Sequence, residues 1–261
     1  MSLPWRVARS LPRPGRRHAY GPDPGQVGEL HLPRGQGRHP VVVLLHGGHW
    51  QTRFGRLVCR PLALDLVGRG WAAWNLEYRR LGPGRGGGGG WPATFEDVAA
   101  GLDHLAALDG PRLDLGRVVL VGHSAGGQLA LWAAGRGPGT VGGAAAVPLR
   151  RVVALSPVTD MAGAGRAARA LLGGPPKQFP GRWAEADPCR SLPPPVPVLV
   201  VHPEGDRTVS VRQSAEYVRR CRDAGGDVQL VAPADEGHRA PIDPGSACWA
   251  AAAAWLGPGS P

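Results

Sequence analysis

Runs of apolar residues alternate with segments of helical spacing along most of the chain. Residues 41–45 form a continuous run rich in β-branched side chains, which predicts a strand buried on both faces of a parallel sheet. The same reasoning predicts strands at 26–32, 71–78, 118–121, 152–155, 196–202 and 228–231. Helices are predicted at 57–67, 94–108, 125–134, 211–224 and 245–256. This alternation predicts an α/β fold with a mostly parallel central sheet flanked by helices.

Length and low-complexity segments suggest how the domain is organised. A single α/β domain accounts for 261 residues. Residues 1–15 are predicted to be a flexible leader, and residues 160–195 a small cap insert between two strands. The glycine-rich segment 82–90 is expected to be mobile. It does not resemble a phosphate loop, because no Lys-Ser or Lys-Thr pair follows it.

Composition and charge narrow the range of partners. The formal net charge of +10 would suit a protein that binds nucleic acid or an anionic surface. The basic residues, among which Lys177 is the only lysine, are scattered without a basic run or an interleaved aromatic patch. We therefore expect no nucleic-acid partner. The sequence carries no signal for the oligomeric state.

The cysteines and the apolar segments bear on the compartment. The four cysteines, at positions 59, 189, 221 and 248, have neither C-x-x-C nor metal-site spacing, which favours reduced thiols and no bound metal. Residues 1–20 contain no apolar core of a secretory signal. No apolar stretch reaches the roughly 18 residues of a membrane span. We therefore expect a cytoplasmic protein with no membrane association.

The most informative motif is the G-x-S-x-G sequence of Gly122, Ser124 and Gly126. It lies between a predicted strand and a predicted helix, the context that a nucleophile elbow requires. The glycines provide room for a sharp turn, and the helix N-terminus would lie beneath the serine. An ordinary glycine turn is the alternative in a chain that contains 41 glycines. The choice depends on whether the partners of a nucleophile are also present.

An acid and a base follow Ser124 in the chain order Ser, Asp, His. Asp206 and His238 each come after a predicted strand, so both should lie at the C-terminal edge of the sheet, where ligands of open α/β sheets bind. A solvated turn aspartate and a plain loop histidine are the alternatives. Glu204 is the competing acid, and Asp206 is favoured because it lies farther past the strand end. His202 ends a strand and should have a core or supporting role.

Acyl transfer also requires two backbone N–H groups that stabilise an oxyanion. Ala125, directly after the serine, is the first candidate donor. The second should come from the loop HGGHW at 46–50, where Gly48 or His49 is the expected donor. His46 should hold this loop by hydrogen bonds rather than transfer protons. Trp50 fits either a pocket wall or simple packing.

Four motifs in this order, HGGHW, GHSAGG, EGDRTVSVRQS and EGHRAPIDP, resemble the α/β-hydrolase fold over roughly residues 20–256. They are especially similar to the HGGxW branch, which contains kynurenine formamidases and small esterases. The resemblance implies Ser124 as nucleophile, Asp206 as acid, His238 as base and 47–49 as the oxyanion loop. No metal-ligand set or dinucleotide fingerprint appears in the sequence, so no cofactor is implied. The glycine run and the arginine-rich leader depart from the family pattern without touching these residues.

The predicted activity is that of a serine hydrolase acting on a small-molecule ester or amide. An aryl-formamidase of the N-formylkynurenine type, a short-chain carboxylesterase and a carbohydrate deacetylase remain open. A peptidase of the prolyl-oligopeptidase type is less favoured, because the chain has no segment long enough for a propeller. A catalytically silent ligand-binding homologue is disfavoured, because the positions of Ser124, Asp206 and His238 are all filled.

Overall fold

The computed structural model describes residues 3–108 and 112–259. Within these residues eight strands form one sheet: β1 Arg16–Ala19, β2 Val27–His31, β3 His39–Leu45, β4 Ala72–Leu76, β5 Leu113–His123, β6 Leu149–Leu155, β7 Val198–Val201 and β8 Val228–Val231. Their order across the sheet is β1-β2-β4-β3-β5-β6-β7-β8. The strands from β4 to β8 in this order are parallel, whereas β1 and β2 pair antiparallel at one edge. The predicted α/β fold with a mostly parallel sheet is confirmed.

Helices cover both faces of the sheet. They are α1 Leu3–Ser10, α2 Arg60–Gly68, α3 Ala93–Asp103, α4 Ala125–Ala134, α5 Gly165–Leu172, α6 Pro180–Ala186, α7 Val211–Asp223 and α8 Ala247–Leu256. Alternate residues of β3 point to opposite faces, as the twofold period of a strand requires. Val41 and Val43 pack into the core beneath α3 and α4, and Val42 and Leu44 pack into the core beneath α2 and α8.

The predicted strands and helices are present, and their ends differ by a few residues. The largest difference is β5, which begins at Leu113 rather than at 118 and crosses a register shift on the way. Strand β1, with the sequence RRHA, was not predicted, because it has no apolar alternation. Its pairing with β2, rather than burial of its own side chains, makes it a strand.

The N-terminal segment differs from the flexible leader that the sequence predicts. Residues 3–10 form helix α1, whose Arg6 lies 2.6 Å from Asp243 as an ion pair. Leu3 and Val7 are one helical turn apart and therefore share a face. A helix of this length is marginal in isolation, so contacts with the rest of the fold must stabilise it. Those contacts are not visible in the local sequence, which is short and rich in arginine.

The glycine-rich segment 82–90 is hydrogen-bonded rather than loose. The backbone N–H of Arg80 donates to the Gly86 carbonyl at 2.8 Å, and the Gly89 N–H donates to the Arg80 carbonyl at 2.9 Å. The Gly90 N–H donates to Thr94 Oγ1 at 2.9 Å. The segment therefore folds back on the end of β4, which its low complexity did not predict.

Two global features complete the description. All four cysteines carry free thiols, and three of them are buried. In the described ranges, no helix combines the length and the apolar character needed to cross a membrane.

Candidate active site

Ser124 stands in a strained turn between β5 and α4. Its backbone has φ 54° and ψ −115°, which is unfavourable for a residue with a side chain. A Cβ atom on Gly122 would overlap the backbone of Gly126, and one on Gly126 would overlap the carbonyl groups of Leu45 and His46. The two glycines are therefore required by close backbone approach, and the turn presents the serine hydroxyl at the C-terminal edge of the sheet.

The structure brings Ser124, His238 and Asp206 together in one hydrogen-bonded chain. His238 Nε2 lies 3.0 Å from Ser124 Oγ, and His238 Nδ1 lies 2.7 Å from Asp206 Oδ2. Because the carboxylate can only accept, Nδ1 carries the proton, and neutral Nε2 is left to accept from the serine hydroxyl. This is the tautomer that a general base for Ser124 needs.

Asp206 is held as a carboxylate. Its Oδ1 accepts hydrogen bonds from the backbone N–H groups of Thr208 at 2.8 Å and Val209 at 2.9 Å. Burial raises the pKa of Asp206, but hydrogen bonds from His202 and His238 outweigh it and hold the pKa well below its usual range. The competing acid Glu204 is exposed on the same loop and does not reach His238.

His202 holds the Asp206 carboxylate from the buried side of the site. Its Nε2 lies 2.9 Å from the Val209 carbonyl and 3.2 Å from Asp206 Oδ2, and both of these oxygens can only accept. Nε2 therefore carries the proton, and Nδ1 accepts from the Ser214 hydroxyl at 2.8 Å. His202 is fully buried and orients Asp206, which agrees with a supporting role.

His123, the residue before the nucleophile, is a member of the site that sequence reasoning missed. Its Nε2 donates to the backbone carbonyl of His238 at 2.8 Å, and the two rings lie 4.8 Å apart. Burial, assisted by the nearby His238, lowers the pKa of His123 to about 3, so this ring is neutral. The one signal in the sequence was a polar residue at the end of an otherwise apolar strand.

The residues expected to supply the oxyanion donors, Gly48, His49 and Ala125, line the cavities that reach Ser124. Among the described residues, none accepts a hydrogen bond from the backbone N–H groups of Ala125, Gly48 or His49. Gly48 has φ 119°, and a Cβ atom there would overlap Phe54, so only glycine fits this position. His49 also has a positive φ, 53°, and burial lowers its pKa. The roles of the three N–H groups as oxyanion donors stay a prediction.

A second histidine–carboxylate pair lies under the oxyanion loop. His46 Nδ1 donates to the Gly47 carbonyl at 2.7 Å, and Nε2 lies 2.7 Å from Glu77 Oε1. The His46 ring stacks on Tyr78 with the centroids 4.4 Å apart, and the Tyr78 hydroxyl donates to the His46 carbonyl at 2.6 Å. His46 thus holds the loop by hydrogen bonds and does not face Ser124.

Buried charges surround Glu77. Arg80 lies 3.3 Å and Arg56 3.4 Å from its carboxylate. Burial raises the pKa of Glu77, but His46 and Arg80 outweigh it and hold the pKa below its usual value. Arg56 continues to Glu29 at 2.9 Å, and Arg60 also reaches Glu29, at 2.8 Å. This network was not predicted, because its members are far apart in the chain.

Two cavities meet at Ser124. The larger, of about 460 Å³, is lined by Leu3, Pro4, Val7, Gly47, Gly48, His49, Phe54, Val58, His123, Ser124, Thr208, His238, Arg239 and Ile242. The smaller, of about 180 Å³, is lined by His49, Trp50, Ser124, Ala125, Val158, Gly163, Ala164, Ala167, Thr208, Val209 and Gln213. His238 therefore faces the larger cavity, and Ala125 faces the smaller one. Trp50 is a pocket wall as well as a buried side chain.

The insert at 160–195 contributes to the site from one side. It contains α5 and α6, and Ala164 and Ala167 line the smaller cavity. Gln128 Nε2, on α4, donates to the Ala186 carbonyl at 2.8 Å and attaches the insert to the sheet domain. Whether the insert acts as a cap over bound substrate stays a prediction.

The fold and the site define an α/β-hydrolase, and comparison with known proteins gives the family. The BD-FAE family model matches residues 29–220, more than half of the chain. The chain belongs to the BD-FAE family. A search of curated protein sequences gives no match.

Solved structures with the same fold include esterases. A truncated carbohydrate esterase from gut microbiota has a TM-score of 0.79 at 16% identity, covering 93% of this chain and 95% of that one. Thermogutta terrifontis esterase 2 with bound butyrate has a TM-score of 0.68 at 19% identity, covering 86% and 84%. A bifunctional GH43-CE protein of Bacteroides eggerthii has a TM-score of 0.73 at 22% identity, covering 85% of this chain and 35% of that one. The chain thus spans about a third of that longer protein.

Proposed function

We propose that this protein hydrolyses carboxylic esters of small molecules by acyl transfer to Ser124. The observation that carries the proposal is the hydrogen-bonded chain from Ser124 through His238 to the ionised Asp206. Membership in a family whose solved structural neighbours include esterases supports it. No cofactor is required for this chemistry.

In the proposed reaction, each group of the site has one step. Ser124 Oγ attacks the ester carbonyl while His238 Nε2 takes its proton, and Asp206 stabilises the imidazolium that forms. The N–H groups of Ala125 and of Gly48 or His49 stabilise the tetrahedral oxyanion. His238 then gives the proton to the leaving alcohol, and water repeats the sequence to release the acid.

We propose that the two cavities hold the two halves of the ester. The leaving oxygen must lie beside His238 Nε2, which protonates it, so the alcohol occupies the larger cavity. The acyl group then lies on the opposite side, in the smaller cavity beside Ala125. A volume of about 180 Å³ accommodates short acyl chains such as formyl, acetyl or propionyl and makes this the smaller of the two spaces at Ser124.

Two finer substrates fit a short acyl group joined to a large partner. Carbohydrate acetates are supported by the carbohydrate esterase among the structural neighbours. Aryl formamides of the N-formylkynurenine type are supported by the larger cavity, whose walls are mostly apolar. A rate comparison on acetylated xylose, N-formylkynurenine and p-nitrophenyl esters from acetyl to octanoyl separates them.

The test of the activity is hydrolysis of p-nitrophenyl acetate by the wild type and by Ser124→Ala. Removing the nucleophile of such a triad should reduce kcat by about 10⁴-fold or more. Ser191→Ala, on an exposed loop, is the matched control and should retain full activity. Equal rates for the wild type and Ser124→Ala would refute the proposal, and labelling of Ser124 by a fluorophosphonate would support it independently.

A further inference from the structure

We infer that helix α1 forms part of the wall of the larger cavity, and that its apolar side chains make the enzyme prefer esters of bulky apolar alcohols. This inference rests on the proposed esterase activity. Leu3, Pro4 and Val7 of α1 line the cavity together with Val58 and Ile242, and the same cavity reaches Ser124 and His238. The N-terminal segment therefore contributes directly to the space that the leaving group occupies.

The position of α1 is fixed by an ion pair to the loop that carries the base. Arg6 lies 2.6 Å from Asp243, which follows His238 by five residues. Gly245 leaves the room for this contact, because a Cβ atom there would overlap the Arg6 guanidinium. Asp243 also accepts from the Gly245 N–H at 2.9 Å, which fixes its carboxylate. Helix α1 and the His238 loop are thus joined beside the cavity.

The other end of α1 is attached to the domain through α2. Arg60 Nη1 lies 3.5 Å from the Leu11 carbonyl, directly after the helix, and Ser10 is buried. Arg60 is itself held by Glu29 in the buried charge network. Contacts at Arg6 and at Leu11 thus attach α1 to the domain on both sides of Val7.

The chemistry of the lining selects the alcohol. An apolar alcohol gains from burial against Leu3, Val7 and Phe54, roughly in proportion to the area it loses to water. A sugar alcohol would place hydroxyl groups against Leu3, Val7 and Phe54, which offer no side-chain hydrogen-bond partner, and burying a hydroxyl group there is unfavourable. The cavity therefore favours an aryl or arylalkyl alcohol over a sugar in this position.

The experiment compares two acetates that differ only in the alcohol, 2-phenylethyl acetate and ethyl acetate. Both place the same acetyl group in the smaller cavity, and kcat/KM reports the acylation step alone. In Val7→Ala and Leu3→Ala, the ratio of kcat/KM for the larger ester to that for the smaller should fall about tenfold. Val7→Phe, which fills the cavity, should lower the same ratio by steric exclusion.

Trp5→Ala is the matched control. Trp5 lies on α1 between Leu3 and Val7, is 40% exposed and packs with Arg9 rather than with the cavity. Its truncation should leave the ratio at the wild-type value. An unchanged ratio in Val7→Ala, Leu3→Ala and Val7→Phe, with activity intact, would overturn the inference and leave the proposed esterase standing.

Binding of the product alcohol keeps the inference testable even without turnover. The Kd of 2-phenylethanol for Ser124→Ala protein, measured by calorimetry, should rise about tenfold when Val7→Ala is added. An unaltered Kd would overturn the inference. If the wild type hydrolyses no ester but the effect on Kd is present, the proposed function is refuted, and the role of α1 in the wall of the larger cavity stands.

Discussion

The site contains two histidine–carboxylate pairs of the same geometry and different surroundings. His238 lies 2.7 Å from Asp206, and His46 lies 2.7 Å from Glu77. The distance is therefore no guide to which pair performs proton transfer. What differs is the group that faces the second ring nitrogen.

In the first pair, the second nitrogen of His238 faces the Ser124 hydroxyl and an open cavity. In the second pair, the second nitrogen of His46 donates to the Gly47 carbonyl, and the ring stacks on Tyr78 away from solvent. One histidine can exchange a proton with a substrate, whereas the other has both nitrogens committed to acceptors. A histidine whose second ring nitrogen is accessible can act as a base, whereas a histidine with both ring nitrogens hydrogen-bonded within the protein has a structural role.

The carboxylates differ in the same sense. Asp206 is balanced by neutral donors, namely two backbone N–H groups and the buried ring of His202. Glu77 is balanced by the guanidinium groups of Arg56 and Arg80. A carboxylate held by neutral donors leaves its charge available to the imidazolium of His238, while one surrounded by arginines is neutralised in place.

Among changes to the two histidine–carboxylate pairs, the largest effect is expected for Asp206→Asn. The amide group would present an N–H to His238 Nδ1, which favours the tautomer with the proton on Nε2 and prevents it from accepting from Ser124. We expect kcat for p-nitrophenyl acetate to fall about 10⁴-fold with a folded protein by circular dichroism. Glu204→Gln, the exposed acid on the same loop, is the control and should retain activity. A loss confined to Glu204→Gln would move the acid to that residue.

The first pair could be predicted from the sequence, and the reason is topological. Ser124, Asp206 and His238 each follow a predicted strand, and parallel strands bring their C-terminal ends to one edge. Chain order then assigns each residue its role in the resemblance. The β5–α4 turn, with a glycine on each side of the serine, was readable because it depends only on local backbone sterics.

The second pair could not be predicted, because its partners meet only through tertiary packing. Glu77 continues the apolar run of β4, and nothing local shows that Arg56 and His46 surround it. Helix α1 was missed for a related reason. It is only eight residues long, and it contacts residues more than 200 positions away, such as Arg6 with Asp243. Local patterns carry no information about such partners.

Glu77→Gln makes the same chemical change in the second pair and should have a smaller effect on turnover. It removes the charge that balances His46, Arg56 and Arg80 and loosens the loop that carries Gly48 and His49. We expect kcat for p-nitrophenyl acetate to fall about 10²-fold, comparable with the loss of one oxyanion donor.

The stability of the Glu77→Gln variant tests whether the His46–Glu77 pair has a structural or a catalytic role. Breaking a buried ion pair should lower the free energy of unfolding by about 3 kcal/mol, measured by urea denaturation. Asp206→Asn should show the reverse, with a larger loss of kcat and a smaller loss of unfolding free energy. If Glu77→Gln loses as much activity as Asp206→Asn and keeps its stability, the structural role given to His46 is contradicted.

The smallest effect on turnover is expected for Glu29→Gln, at the far end of the network. Glu29 is 1% exposed and pairs with Arg56 and Arg60. Burial raises its pKa, but the nearby His31, 3.7 Å away, and the hydrogen bonds from Arg60 and Arg56 outweigh it and lower the pKa to about 2. The variant should retain near wild-type kcat and lose about 3 kcal/mol of unfolding free energy at pH 7.

The pH dependence of this loss of unfolding free energy follows from the direction in which the pKa of Glu29 is shifted. A lowered pKa stabilises the fold above the unfolded-state pKa, about 4.5, and this contribution disappears as the pH falls towards 2. The difference in unfolding free energy between the wild type and Glu29→Gln should therefore be constant from pH 7 to about pH 5 and shrink below it. Arg117→Gln, which removes an exposed partner of Asp114, is the comparison and should change stability by less than about 1 kcal/mol. A Glu29→Gln difference that stays at full size at pH 3 would show that the lost stability comes from packing and not from the ionised carboxylate.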